Sequence, residues 1–420
     1  MSHLTPATTE PSGGPAPDAP TRLHGLDALR SVALLIGIAY HSFLAFTLPP
    51  TEWAIGSLHP VALLGVSVLY IHEFRLPVFF MLAGFFGALV VERRGAARYL
   101  KDRFVRVSLV FLVAVYPMRF LCAALWNAGQ RLSGGAPESF DVNVPWYTAA
   151  VESIHAEPWS SLTLTHLWFL YVLSVIIAGF MAMRWLVHRS RLTTKVMHVA
   201  GRRIEPLVAH VTWPLVMAVG LAPIFARMEH RVPFTPDHGF WWHPAITCLY
   251  GAFFGLGWWL HGRRGVLGRI ERHGPLFVMV GLASIVPFLA VEYAEVGPAV
   301  PASVRHATAA FWAGLICSAS TVGWLGVFNR YMSRPSRRAR YIADASYWMY
   351  IAHLPLVVAL QELLVRTRLP WWVQVPVIDV VTVAVLLVTY RLFVRQTWVG
   401  LWLNGRRISR PVAQAAIDAP

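Results

Sequence analysis

Two ionisable residues inside one apolar run pose the first chemical question. Residues 26–46, LDALRSVALLIGIAYHSFLAF, open with Asp27 and Arg30 and carry His41 deep within. Arg30 and His41 lie eleven residues apart, very nearly three helical turns, so a helix puts both on one face. Arg30, Leu34, Gly37 and His41 then form a single stripe about 16 Å long at 1.5 Å per residue. Asp27, three residues before Arg30, is placed to hold its guanidinium. Ionisable groups in lipid are costly and normally face a bundle interior or a wet cavity. On this helix alone, a histidine merely hydrogen-bonded to a neighbouring helix remains as good a reading as a working base.

Other stretches add candidates at matching depths. HEFRLPVFFMLAGFF brings His72, Glu73 and Arg75, with Gly84 further in. Snorkelling of Arg75 to the interface and close packing at Gly84 would explain these without chemistry. The sharper reading puts Arg75 near His41 and makes His72 and Glu73 substrate-binding residues. HLWFLYVL brings His166 and Trp168 to the same side, although an aromatic belt also accounts for Trp168. RFVR sets Arg103 and Arg106 at i,i+3, where they can grip one polyanion; stop-transfer arginines have the same spacing. ARYIADASYWMYIAHLPLVV offers Asp344 or Ser346 as an N-cap. It carries His353 about two turns in, near the depth of His41.

Much is missing that other chemistries need. No HExxH, GxSxG, P-loop or EF-hand pattern occurs. Cys122, Cys248 and Cys317 show no CxxC or pairing pattern, so neither a disulfide framework nor a metal site is expected. His238 and His243, in DHGFWWHP, read as part of a loop with interfacial tryptophans.

The elements that must position these side chains follow from composition. Of 420 residues, 56% are hydrophobic and only 14% charged, against about a quarter charged in soluble domains. The chain reads as an all-α, polytopic membrane helix bundle of about ten transmembrane helices. The spans are placed near 28–48, 74–91, 105–126, 164–186, 211–226, 243–261, 276–292, 308–328, 345–365 and 372–394. Residues 60–73 are expected as a separate interfacial or re-entrant helix. With the N-terminus cytosolic, inner loops hold 23 Lys and Arg and outer loops only 6. The excess recurs in every loop pair, so it supports both the count and the direction. The net charge of +15 is therefore an orientation signal, and no nucleic-acid partner is expected. Residues 1–21 read as a disordered cytosolic tail, 22–394 as one membrane domain and 395–420 as a basic cytosolic tail. The long outer loop near 127–162 is acidic.

Taken together, LDALR with its Arg–x10–His spacing, FRLPVFFMLAGFF, RFVR and SYWMYIAHLPLV resemble the acyltransferase family 3 of integral-membrane O-acyltransferases. The resemblance extends over residues 22–394. IHEFR, HLWFL and ASYWMYIAHLPL are most similar to the branch containing the glucans biosynthesis protein C, a succinyltransferase of osmoregulated periplasmic glucans. The resemblance implies a ten-helix bundle in the bacterial inner membrane. Such a bundle would carry an acyl group from cytosolic acyl-CoA to a hydroxyl of a periplasmic or cell-envelope glycan. It implies Arg30 and His41 as the catalytic pair and Arg103 and Arg106 as contacts for the coenzyme A phosphates. No permanently bound cofactor is implied; acetyl-CoA or succinyl-CoA is the donor substrate. The implied partners are acyl-CoA, a glycan acceptor and the lipid bilayer, with no particular oligomeric state.

Residues and resemblance fit one mechanism. The nucleotide end of acyl-CoA stays at the inner arginines while its pantetheine arm runs along the first helix towards His41. Neutral His41 takes the hydroxyl proton as the oxygen attacks the thioester. Arg75 or His353 orients His41 or stabilises the oxyanion. An acyl-histidine intermediate is the competing route. Arg75 and Arg119 are the cations available to the free carboxylate of a succinyl group. The rival class is a proton-coupled exporter of a glycan or lipid, although no paired broken spans mark two matching halves.

Overall fold

Backbone amides within lipid must find partners inside their own segment, and apolar runs of this length meet that demand as helices. The computed structural model describes residues 24–405 apart from 50–52, 58, 133–163, 229–230, 234–239, 241, 294–300, 366 and 368. The tails 1–21 and 406–420, and most of the acidic loop, thus lie outside the described residues, as does His238. Fourteen helices follow in order. They are α1 (His24–Phe43), α2 (Ala62–Arg94), α3 (Ala96–Arg103), α4 (Leu109–Leu132), α5 (Trp168–Arg189), α6 (Arg191–Val208) and α7 (Trp213–Phe225). The rest are α8 (Pro244–Leu260), α9 (Arg264–Ala283), α10 (Ile285–Tyr293), α11 (Ala302–Tyr331), α12 (Arg337–Val365), α13 (Trp371–Thr389) and α14 (Trp398–Asn404). The described residues contain no sheet.

Every expected span falls on a helix, yet not every one is long enough to cross. Eight helical stretches of the described residues have the length and apolarity to span a bilayer, or nine if the bent pair α6–α7 counts as one. α7 has 13 residues and α8 has 17, about 20 and 25 Å against a hydrocarbon core of about 30 Å. Pro214 at the first turn of α7 suits a helix start, because its missing N–H would find no partner there anyway. The chain turns by 118° between α6 and α7.

The separate helix expected over 60–73 is not formed. That segment is the first third of α2, which runs unbroken for 33 residues through Pro77. Nothing between Gly65 and Pro77 breaks a helix, so the apolar run simply continues into FRLPVFF. The third span is irregular instead: α3 passes into α4 through a π-helical turn, Phe104–Ser108, which contains Arg106. Such turns are rare and often sit at functional sites.

Small residues let the helices touch. A Cβ on Gly84 of α2 would strike the Phe254 carbonyl of α8, and one on Gly257 of α8 would strike the Met81 carbonyl of α2. Dispersion at such close approach holds helices together where lipid removes the hydrophobic drive. α1 lies between α2 and α12. Ser31 donates its hydroxyl to Asp27 O at 2.9 Å and Ala339 O at 3.2 Å, tying α1 to α12. Among the described residues after 394, α14 packs back against the bundle. There Trp402 donates its indole N–H to Val105 O at 2.8 Å and Leu403 is buried.

Candidate active site

The stripe read from α1 faces a cavity. Asp27, Arg30, Leu34, Gly37 and His41 all line one space of about 1840 Å³. Ligand sites are usually about 300–1,000 Å³, so this one has room for more than one substrate. One end is basic: Asp27, Arg30, Arg103, Arg106, Asp344 and Asn404 line it, each half-buried. The far end gathers His41, His72, His166 and His353 with Trp53 and Trp126.

At the basic end, Arg30 donates from Nη2 to Ala343 O at 2.5 Å, so its guanidinium is steered by the start of α12. Arg106 lies 3.8 Å from the Asp102 carboxylate, and its carbonyl accepts the Tyr347 hydroxyl. Arg103 stacks on Tyr99, with its guanidinium carbon 5.5 Å from the ring centre. The π turn keeps Arg103 and Arg106 on the same cavity wall.

At the far end, the His353 ring centre is 5.1 Å from that of His41 and 5.0 Å from that of His166. Three of the four histidines are tied to backbone carbonyls. His353 Nδ1 donates to Tyr350 O at 2.7 Å, His166 Nε2 to Ile351 O at 2.9 Å and His72 Nε2 to Pro233 O at 2.5 Å. A carbonyl only accepts, so each of these nitrogens carries the proton and the other ring nitrogen is left as an acceptor. His41 differs. It is half-buried, and its Nδ1 has no hydrogen-bond partner among the described residues. Trp53 stacks on it with ring centres 5.6 Å apart.

Two residues off the predicted stripe hold that arrangement. Arg75 donates to Gly37 O at 3.2 Å and covers the Tyr40 ring at 4.4 Å. Its guanidinium is buried in the cavity wall rather than snorkelling to an interface, because α2 continues for more than three turns beyond it. Gln361, 2% exposed, accepts the Trp53 indole N–H at 2.9 Å. Its amide also donates to His41 O and Ser42 O, each at 3.1 Å.

Every residue read from sequence as catalytic or binding lines the cavity except Glu73. As neighbours on a helix, Glu73 and His72 point about 100° apart, and Glu73 faces α8 and α11. It is fully buried, and neither carboxylate oxygen has a hydrogen-bond partner among the described residues. The structure therefore gives no support to Glu73 as a substrate contact. Trp168 lines the cavity but is 5% exposed, so it is a wall residue and not part of an interfacial belt. Arg119, also buried, lines the same space. Sequence reasoning missed Trp53, Trp126, Tyr350 and Gln361. A lone Gln in the apolar run of α12 was a legible signal; the loop tryptophan was not.

A bundle of membrane-length helices wrapped around a chamber with a basic end and an imidazole-lined end defines a class: multi-pass membrane proteins with a large internal cavity. The particular family follows from the sequence, which matches the acyltransferase domain over residues 23–391; the chain belongs to that family. It is also 28% identical over 165 residues to the glucans biosynthesis protein C of Salmonella paratyphi B, of Salmonella heidelberg and of Salmonella enteritidis. That match spans 39% of this chain and 38% of each relative's length. No solved structure matches the chain.

Proposed function

We propose that this protein is an acyltransferase that moves an acetyl or succinyl group from cytosolic acyl-CoA to a hydroxyl of a periplasmic or cell-envelope glycan. The bacterial inner membrane is its site, with the basic end of the bundle facing the cytosol. The observation that carries the reading is the single cavity that joins Arg30, Arg103 and Arg106 to His41. Guanidinium forks suit phosphate oxygens, so the nucleotide end of the donor rests at the basic end. The pantetheine arm then follows the α1 stripe and delivers the thioester to the imidazoles. Trp53 and Trp126, whose ring centres are 4.7 Å apart, give the far end flat apolar faces against which a sugar ring can lie.

Chemistry at His41 balances without any further group. Neutral imidazole removes the hydroxyl proton as oxygen bonds to the thioester carbon. The resulting oxyanion is within the field of Arg75, and collapse breaks the C–S bond. The imidazolium returns its proton to the thiolate, releasing ester, free CoA and neutral His41. The likeness to glucans biosynthesis protein C supports a periplasmic glucan as acceptor. Arg75 and Arg119 supply cations for a succinyl carboxylate.

The test uses purified full-length protein with labelled acetyl-CoA or succinyl-CoA and periplasmic glucan, read by product mass. Acceptor-dependent release of CoA together with an acylated glucan is expected. Movement of glycan across vesicles with no thioester consumed would instead support the exporter reading.

A further inference from the structure

α6, 18 residues long, lines no part of the cavity and is bent by 118° from α7 rather than continuing with it as a straight span. Its sequence, RLTTKVMHVAGRRIEPLV, has three separate edges. At 100° per residue, Leu192, Val196, Val199 and Leu207 fall within roughly 80° of arc, and Met197 and Ile204 widen that arc to about half the helix. All six are exposed, Leu192 by 71% and Val196 by 56%. A second edge docks on the bundle: Gly201 is buried beside Trp259 and Arg263, and Glu205 lies 3.7 Å from the Arg263 guanidinium. The third edge, within roughly 40° of arc, is Arg191, Lys195 and Arg202, all exposed.

What covers the apolar half is set by its neighbours in the chain. α5 ends just before it with Trp185 and Leu186 outward, and α7 begins just after it with Leu215, Val216 and Val219 outward. Both are apolar helices of the bundle with faces turned to lipid. The apolar half of α6 is therefore at the depth where two lipid-facing helices end. The 118° turn into α7 lays α6 across that boundary rather than along the span. A helix with this division of faces lies in the plane of a bilayer surface, apolar side down, and its cationic edge meets headgroups. Arg203 falls within the apolar arc, but its long stem lets the guanidinium reach up to the same level.

The geometry points to α6 as a surface-lying helix that docks on acidic phospholipid headgroups of the leaflet at the basic end of the bundle. The three cations of one edge, with Glu205 already engaged by Arg263, leave an uncompensated positive strip suited to anionic lipid. This inference stands apart from the proposed chemistry, since no residue of α6 lines the cavity.

Spin labels on the full-length protein in vesicles test it. Single cysteines replace Leu192, Val196, Val199, His198 or Arg202, with the exposed Cys248 changed to serine. At positions 192, 196 and 199, dissolved oxygen should relax the label more than a water-soluble nickel chelate does. At 198 and 202 the order should reverse. Replacing phosphatidylcholine by a mixture with phosphatidylglycerol should sink the 199 label deeper, and the triple variant Arg191→Gln, Lys195→Gln, Arg202→Gln should remove that dependence. Nickel access at all five positions would overturn the surface-lying helix. Dipolar broadening at 196 that vanishes on dilution with unlabelled protein would assign the face to a second copy. Unchanged lipid dependence in the triple variant would refute the acidic headgroup as partner.

Discussion

The two ends of the cavity solve different problems with different mechanics. At the basic end the polar side chains are half-buried, long and flexible, and their contacts leave room for a ligand to draw them in. At the far end, His72, His166 and His353 are buried and each has a ring nitrogen fixed by a backbone carbonyl. Recognising a polyphosphate needs charge within reach, and small errors of position cost little. Moving a proton needs a base held in place while the reacting atoms pass. His41 is the exception within the rigid end: it alone of the four is half-buried rather than buried, while Gln361 holds both its carbonyl and the Trp53 ring stacked on it. That contrast is why the chemistry is assigned to His41 and binding to the arginines.

The largest effect should come from the residue that embodies the contrast. His41→Ala should lower kcat by about 10²–10⁴-fold, the usual contribution of a positioned general base. Binding of acyl-CoA by calorimetry should stay as it was. Labelled acyl-CoA offered without acceptor should leave no label on the native protein; label retained at His41 would replace the general-base route by acyl-histidine.

Next comes the other end. Arg103→Ala with Arg106→Ala should raise KM for acyl-CoA roughly 10–100-fold. That corresponds to the loss of one or two charge-assisted hydrogen bonds at about 1.5–3 kcal/mol. The effect should be nearly absent from kcat once donor is saturating. A fall in kcat of the same size would mean that the basic end also positions the thioester, and the division between the ends would fail.

Gln361 tests how the rigid end is built. It touches neither cavity nor substrate, yet it joins the His41 and Ser42 carbonyls to the Trp53 indole. Gln361→Leu should lower kcat by about tenfold, one to two lost hydrogen bonds in transition-state positioning, with KM for acyl-CoA unchanged. Gln361→Glu keeps an acceptor for Trp53 but turns a second oxygen on the His41 and Ser42 carbonyls, so its loss of rate should exceed that of Gln361→Leu. Equal losses of rate and thermal stability in both variants would reduce Gln361 to a packing residue.

How far the sequence went is clearest on α1 and α2. The Arg30–His41 stripe was legible because an apolar helix has a fixed period, and each of its members reached the cavity. The same rule failed for Glu73. Its neighbours His72 and Arg75 line the cavity, but which side of a helix packed by neighbours on most sides faces a chamber depends on partners distant in sequence. α2 is apolar all round, so its own pattern names no inner face. Span count was blurred for a similar reason. α7 and α8 are apolar enough to read as crossings, but their length is settled by packing and by prolines. The carbonyls that orient the histidines leave no mark in composition, because any residue supplies a carbonyl.

Glu73 therefore provides the smallest expected effect and the cleanest check on the boundary of the site. It sits one residue from His72, so a reading based on nearness in sequence predicts damage from any change there. The structure turns its carboxyl away from the cavity, into a region where neither oxygen finds a hydrogen-bond partner among the described residues. Glu73→Gln preserves shape and removes the ionisable group. A lone charge in such a place costs far more than an amide, so the thermal midpoint should not fall. Both kcat and KM should stay within about twofold of the native values, the scale of a change of half a kcal/mol or less. A loss approaching that of His41→Ala would place Glu73 in the proton path. The rigid end would then extend through α2 to α8 and α11, and the cavity would no longer bound the site.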